Sequence, residues 1–170
     1  MTRRTASPKP VRRAVNRRAK KTAARNAKQQ PTDPSAYMVF ISHSSKEKWI
    51  AGQLSKEIMA LGAETWLDLK DMRGGDEIRR SIKRGIRASQ EAIVLLSANS
   101  ITSQWVIYEV AIADGQGKRI TSILNNLDPD KSLAPLQGIK ALDLNDFDQF
   151  LLELTGRIKK RLDKLRKAVS

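Results

Sequence analysis

Short apolar runs that alternate with helical segments constrain the fold of this chain more than any other feature. Five such runs predict strands, at residues 37–41, 63–67, 92–96, 119–124 and 139–142. The segments between them repeat apolar residues at helical spacing and predict helices at 46–61, 76–89 and 104–114, with a long helix from Phe147. The predicted inward face of the first helix comprises Trp49, Ile50, Leu54, Ile58 and Leu61.

Strand–helix alternation indicates right-handed crossovers, and these produce a parallel sheet. The pattern therefore predicts a flavodoxin-like α/β fold, with a five-stranded parallel sheet of order 2-1-3-4-5 and helices on both faces. In such sheets a ligand binds beyond the carboxyl ends of the strands, where the strand order reverses. We therefore expect a site among residues 42–45, 68–75 and 97–102 and the start of the helix that follows.

Basic residues are concentrated at the two ends of the chain. Residues 1–35 carry a net charge of +10, residues 156–170 carry +6 and the residues between carry −2, within a formal total of +14. The first segment has almost no large apolar side chains, which predicts a disordered basic arm that contacts nucleic acid or an anionic surface, or only adds solubility. The predicted organisation is this arm at 1–35, a folded domain at 36–155, and a basic extension of the last helix at 156–170.

The composition excludes several kinds of site. Without cysteine there is no disulfide, thiolate nucleophile or cysteine zinc site, and a single histidine, His43, excludes a multi-histidine metal site. An all-oxygen metal site stays open, but we predict no metal. No apolar run approaches the roughly 20 residues of a membrane span, which predicts a cytoplasmic protein without such a span.

Motifs for common chemistries are also missing. The sequence contains no GxxxxGK[ST], GxSxG or GxGxxG pattern, which excludes a P-loop, a nucleophile elbow and a dinucleotide fingerprint. Strand 3 ends at Ser97, where a phospho-receiver domain requires a carboxylate. A flavin loop after strand 1 stays open, although residues 42–45 contain hydroxyls without glycine.

One group of residues in the helix at 104–114 suits a ligand better than it suits a core. Trp105 and Glu109 are four positions apart and share a helix face, and Tyr108 lies beside them. The alternative is a core tryptophan with a solvated glutamate. At the mouth of the predicted crevice, however, an aromatic face with a carboxylate suits a flat, cationic ligand group.

Five segments together resemble the successive motifs of a Toll/interleukin-1 receptor (TIR) domain of the bacterial type. They read FISHS, WLD, GGD, LLS and SQWVIYE, at residues 40–44, 66–68, 74–76, 95–97 and 103–109, and the likeness extends over residues 37–155. The resemblance implies either an enzyme that cleaves NAD, activated by self-assembly and serving antiphage signalling, or a non-catalytic adaptor that acts through TIR–TIR association. NAD is then a substrate, and no permanently bound cofactor is expected.

The resemblance also implies roles for individual residues. Glu109 matches the catalytic glutamate of the enzymatic members. The residues expected to contact NAD are Ser42, His43, Ser44, Ser45, Asp68, Arg73, Trp105 and Tyr108. Because nicotinamide leaves NAD as a good leaving group without protonation, one carboxylate near the ribose suffices to stabilise the oxocarbenium-like charge. A nucleic-acid binder with a degenerate domain is a third interpretation.

Overall fold

Five parallel strands form the centre of the fold. The computed structural model describes residues 36–67, 75–131, 133 and 136–169. The strands are β1 (Met38–Ser42), β2 (Glu64–Leu67), β3 (Glu91–Leu96), β4 (Arg119–Leu124) and β5 (Ala141–Asp143). They form one sheet in the order β2-β1-β3-β4-β5, with every neighbouring pair parallel. The predicted flavodoxin-like topology is confirmed.

Four helices cover the two faces of this sheet. They are α1 (Lys48–Ala60), α2 (Gly75–Ala88), α3 (Gln104–Gly115) and α4 (Phe147–Val169). Residues from α2 and α3 pack with Phe40, Trp66 and Val94 on one face, and residues from α1 and α4 pack with Ile41 and Ile93 on the other. All six residues of β3 are buried, as expected for a continuous apolar run in the middle of a parallel sheet.

The first helix buries most of its predicted inward face, but not Trp49. Trp49 is 75% exposed, and the buried residues of α1 are Ala51, Leu54, Ser55 and Ile58. At about 100° per residue, Trp49 lies on the opposite side of the helix from Ile58, so both cannot face the sheet. The expectation for Trp49 was therefore wrong. The fifth strand also begins later than expected, at Ala141 rather than residue 139.

The last helix is tied to the amino edge of the sheet by a buried ion pair. Arg157 Nε lies 3.0 Å from Glu91 Oε2, and Glu91, the first residue of β3, is only 1% exposed. Burial raises the pKa of Glu91, and the neighbouring Arg157 opposes this shift. Residues 162–168 are all exposed, so the final turns of α4 leave the sheet beyond this edge. Within the described ranges, no helix combines the length and the apolar character needed to cross a bilayer.

A glycine lets α2 approach the sheet closely. A Cβ on Gly85 would lie 2.5 Å from Nε1 of Trp66, whose indole is buried. We expect Gly85→Ala to lower the free energy of unfolding by roughly 1–3 kcal/mol, because the rigid ring has to shift. Urea unfolding followed by circular dichroism measures this effect. Gly52→Ala is the control, since its added methyl group would meet no atom within 4 Å and an alanine suits a helix better. Equal stability of the wild type and Gly85→Ala would contradict the packing argument.

Candidate functional site

The expected site forms where the carboxyl ends of β1 and β3 meet the start of α3. Lys46, in the loop after β1, donates through Nζ to Asn99 Oδ1, in the loop after β3, at 3.3 Å. Ser103 caps α3 as predicted, because its hydroxyl accepts from the backbone N–H of Val106 at 3.4 Å. The strand order reverses between β1 and β3 at this edge.

Glu109 lies inside this edge of the molecule. Glu109 is 1% exposed, and its carboxylate accepts a hydrogen bond from the hydroxyl of Ser42, the last residue of β1. Glu109 shares the buried side of α3 with Val106, Val110 and Ala113. The sequence placed the carboxylate at the mouth of an open crevice, whereas the structure encloses it. The side chain reaches the end of β1, in one of the segments expected to form the site, but it is buried there.

Two aromatic side chains precede Glu109 on the same helix. Trp105 and Tyr108 are both half-buried and pack against the core beneath α2 and α3. Their ring centroids are 6.1 Å apart at an interplanar angle of 83°, which is an edge-to-face pair. The pair holds both rings in fixed orientations within one turn of the carboxylate.

The residues after β1 are largely engaged within the protein. His43 is buried, and its Nδ1 lies 3.3 Å from the carbonyl oxygen of Ile41. The Ser44 hydroxyl accepts from the N–H of Lys46 at 3.3 Å, and the N–H of Ser44 donates to Glu47 Oε2 at 3.4 Å. These bonds form a capping box for the 3₁₀ turn Ser45–Glu47. Of the four residues expected to contact NAD in this loop, only Ser45 is exposed.

Sequence reasoning missed three residues here. Glu47 is buried and braces the loop, and the S-x-x-E spacing from Ser44 signalled it. Lys46 brings an exposed cation to the junction of two loops. Ser122 is buried and lies level with Ser42 in the sheet, since both residues pair with Val94. A polar residue in the middle of an apolar strand could have indicated it.

The loop after β3 is held by its own hydroxyls. The Ser100 hydroxyl accepts from the N–H of Ser97 at 2.7 Å, and the Ser97 hydroxyl accepts from the N–H of Asn99 at 3.0 Å. This bonding gives the end of β3 a defined shape beside the start of α3. Asp68 and Arg73 lie outside the described residues, so their expected contacts stay predictions.

Comparison with known proteins shows which family the sequence is similar to. The sequence profile of the TIR domain family matches residues 39–155. The chain is 28% identical over 128 residues to "NAD(+) hydrolase TcpC" of Escherichia coli O6:H1, covering 73% of this chain and 38% of that protein. It is 34% identical over 87 residues to "NAD(+) hydrolase PdTIR" of Paracoccus denitrificans, covering 51% of this chain and 29% of that protein.

A third relative and a solved structure are also similar to this chain. The chain is 35% identical over 80 residues to "2' cyclic ADP-D-ribose synthase AbTIR" of Acinetobacter baumannii, covering 46% of this chain and 29% of that protein. The chain thus spans between 29% and 38% of the length of these three relatives. The TIR domain of the Toll-related receptor TRR-2 from Hydra magnipapillata superposes with a TM-score of 0.58 at 22% identity, covering 71% of this chain and 97% of that domain. This likeness shows a shared fold.

Proposed function

Since this chain belongs to the TIR domain family, we propose that it cleaves the bond between nicotinamide and ribose in NAD. The observation that carries the proposal is the Glu109 carboxylate, which sits where the strand order reverses and accepts a hydrogen bond from Ser42. Relatives named as NAD(+) hydrolases and as a 2' cyclic ADP-D-ribose synthase support the same chemistry.

The reaction needs little from the protein beyond charge and position. The bond between C1′ of the ribose and the pyridinium nitrogen breaks, and nicotinamide leaves with the bonding electron pair. Glu109 stabilises the positive charge that develops on the ribose. A water molecule or a hydroxyl of the substrate then bonds to C1′ and loses its proton, giving linear or cyclic ADP-ribose. In this proposal Trp105 and Tyr108 shape the space for the nicotinamide ring. Ser45 and Lys46, which are both exposed, contact the phosphates.

Access to Glu109 requires a rearrangement. A carboxylate that is 1% exposed cannot contact a sugar until the groups around it shift. We propose that association between copies of this domain drives this opening, so that activity rises when the domains assemble. Such coupling predicts a low rate of NAD cleavage per molecule in dilute solution.

The test is release of nicotinamide from NAD, followed by chromatography over a wide range of protein concentrations. We expect the rate per molecule to rise with protein concentration, and the dinucleotide-derived products to identify hydrolysis or cyclisation. Heat-denatured protein is the control. If no nicotinamide appears at any concentration, including concentrations at which sedimentation shows assembly, the proposal is wrong.

A non-catalytic adaptor is the second candidate, and the enclosure of Glu109 favours it. An adaptor needs no accessible carboxylate and acts through TIR–TIR association alone. It would assemble with rising concentration and release no nicotinamide, so the same two measurements separate the candidates.

A further inference from the structure

The outer face of α2 is strongly cationic. Residues 79–87 read RRSIKRGIR and contain five cations and no acid. All five cations are exposed, while Ile78, Ile82 and Ile86 are buried against the sheet. We call this surface the α2 cationic face; its residues are Arg79, Arg80, Lys83, Arg84 and Arg87.

The cations form one continuous stripe. Arg80, Arg84 and Arg87 follow the i, i+4, i+7 spacing that aligns side chains along a helix, and they span roughly 10 Å at about 1.5 Å per residue. Within the part of the chain that the structure describes, none of the five cations forms an ion pair with a carboxylate. Like charges at these spacings repel and destabilise a helix. The helix dipole favours Arg87 in the last turn, but helix stability does not account for the other four cations.

The stripe runs along α2 towards the edge of the sheet opposite the candidate active site. As the return segment of a right-handed crossover, α2 runs from the carboxyl edge of the sheet to the amino edge. There Lys118 donates through Nζ to the carbonyl oxygens of Arg87 at 3.2 Å and Ser89 at 2.5 Å. Arg119, the first residue of β4, is also exposed at this edge. The cationic end of α2 and the Glu109 carboxylate thus lie at opposite ends of the strands.

We propose that the α2 cationic face binds the phosphate backbone of a nucleic-acid duplex. Four of its five cations are arginines, whose planar guanidinium groups match phosphate oxygens in two parallel hydrogen bonds. Every exposed residue between 77 and 87 is charged, so the face offers no apolar side chain for insertion into a membrane. It also offers no aromatic ring for stacking on single-stranded bases. Backbone contact of this kind is independent of base sequence.

The test measures binding of a fluorescent 30-base-pair DNA duplex to the full chain by anisotropy, over a series of salt concentrations. Arg80→Gln combined with Arg84→Gln removes two charges from the stripe and retains good helix formers. We expect this variant to bind roughly tenfold to thirtyfold more weakly near 0.15 M salt, with the slope of log affinity against log salt reduced by roughly 2. A duplex RNA of the same length is expected to behave alike.

The matched control is Lys56→Gln combined with Lys131→Gln, which removes two exposed charges away from α2. Because both variants keep residues 1–35, any difference between them reports the α2 cationic face alone. Equal weakening in both variants, or unchanged binding in the α2 variant, overturns the proposal. So does capture by vesicles of anionic lipid that depends on Arg80 and Arg84 without duplex binding. Nicotinamide release, measured in parallel, reports the proposed NAD chemistry separately.

Discussion

Replacing Glu109 by glutamine is expected to lower the rate of nicotinamide release by roughly two to three orders of magnitude, as removing a charge-stabilising group from an active site does. Glutamine keeps the size and an acceptor oxygen for Ser42, so the change removes the negative charge and little else. The rate is measured at saturating NAD and at a protein concentration that gives full activity in the wild type.

Glu91 offers a matched control within the same chain. It is also 1% exposed, but it lies at the opposite edge of the sheet, beside Arg157. We expect Glu91→Gln to retain nicotinamide release close to that of the wild type, measured below the unfolding temperature of each variant. If Glu109→Gln and Glu91→Gln released nicotinamide at the same rate, whether both were active or both inactive, the role assigned to Glu109 would be wrong.

Removal of the Ser42 hydroxyl is expected to lower kcat roughly tenfold to a hundredfold with little change in KM, because a hydrogen bond to a charged group contributes about 1.5–3 kcal/mol. The hydroxyl donates to the Glu109 carboxylate and so fixes its position. Ser42→Ala tests the loss, and Ser42→Thr restores the hydroxyl on a side chain that suits a strand. We expect the threonine variant to recover much of the lost kcat.

The relative changes in kcat and KM distinguish two roles for Ser42. If its hydroxyl instead contacted NAD directly, as the family resemblance implies, Ser42→Ala would raise KM and leave kcat nearly unchanged. Ser55→Ala is the control. Ser55 is a buried serine of α1, on the other face of the sheet, and its hydroxyl lies 2.6 Å from Thr65 Oγ1. A loss of kcat in Ser55→Ala as large as in Ser42→Ala would indicate a general effect on stability.

The strands and their order were predictable because their signal is local. A run such as residues 92–96 is typical of a strand buried on both faces. The crossover rule then restricts the possible strand orders, and five strands in a domain of this length favour the flavodoxin-like order. The position of the site followed from this order alone. The serine cap at Ser103 was predictable for the same reason, because the cap depends on residues three positions apart.

Features that depend on contacts between distant segments were not predictable. The bond between Ser42 and Glu109 joins residues 67 positions apart, and no local pattern reports it. The pair of Glu91 and Arg157 likewise depends on the path of α4 past β3.

The parallel sheet also decides where the chain can be held. Ala36 precedes β1, and Val169 ends a helix that has already passed Glu91, so both ends of the described chain emerge at the amino edge. An immobilising linker joined directly before Ala36 or after Val169 would lie on the side farthest from Glu109. Molecules attached to a bead through such a linker would keep the edge that contains Glu109 turned away from the bead. The density of attachment would then set the distance between neighbouring molecules.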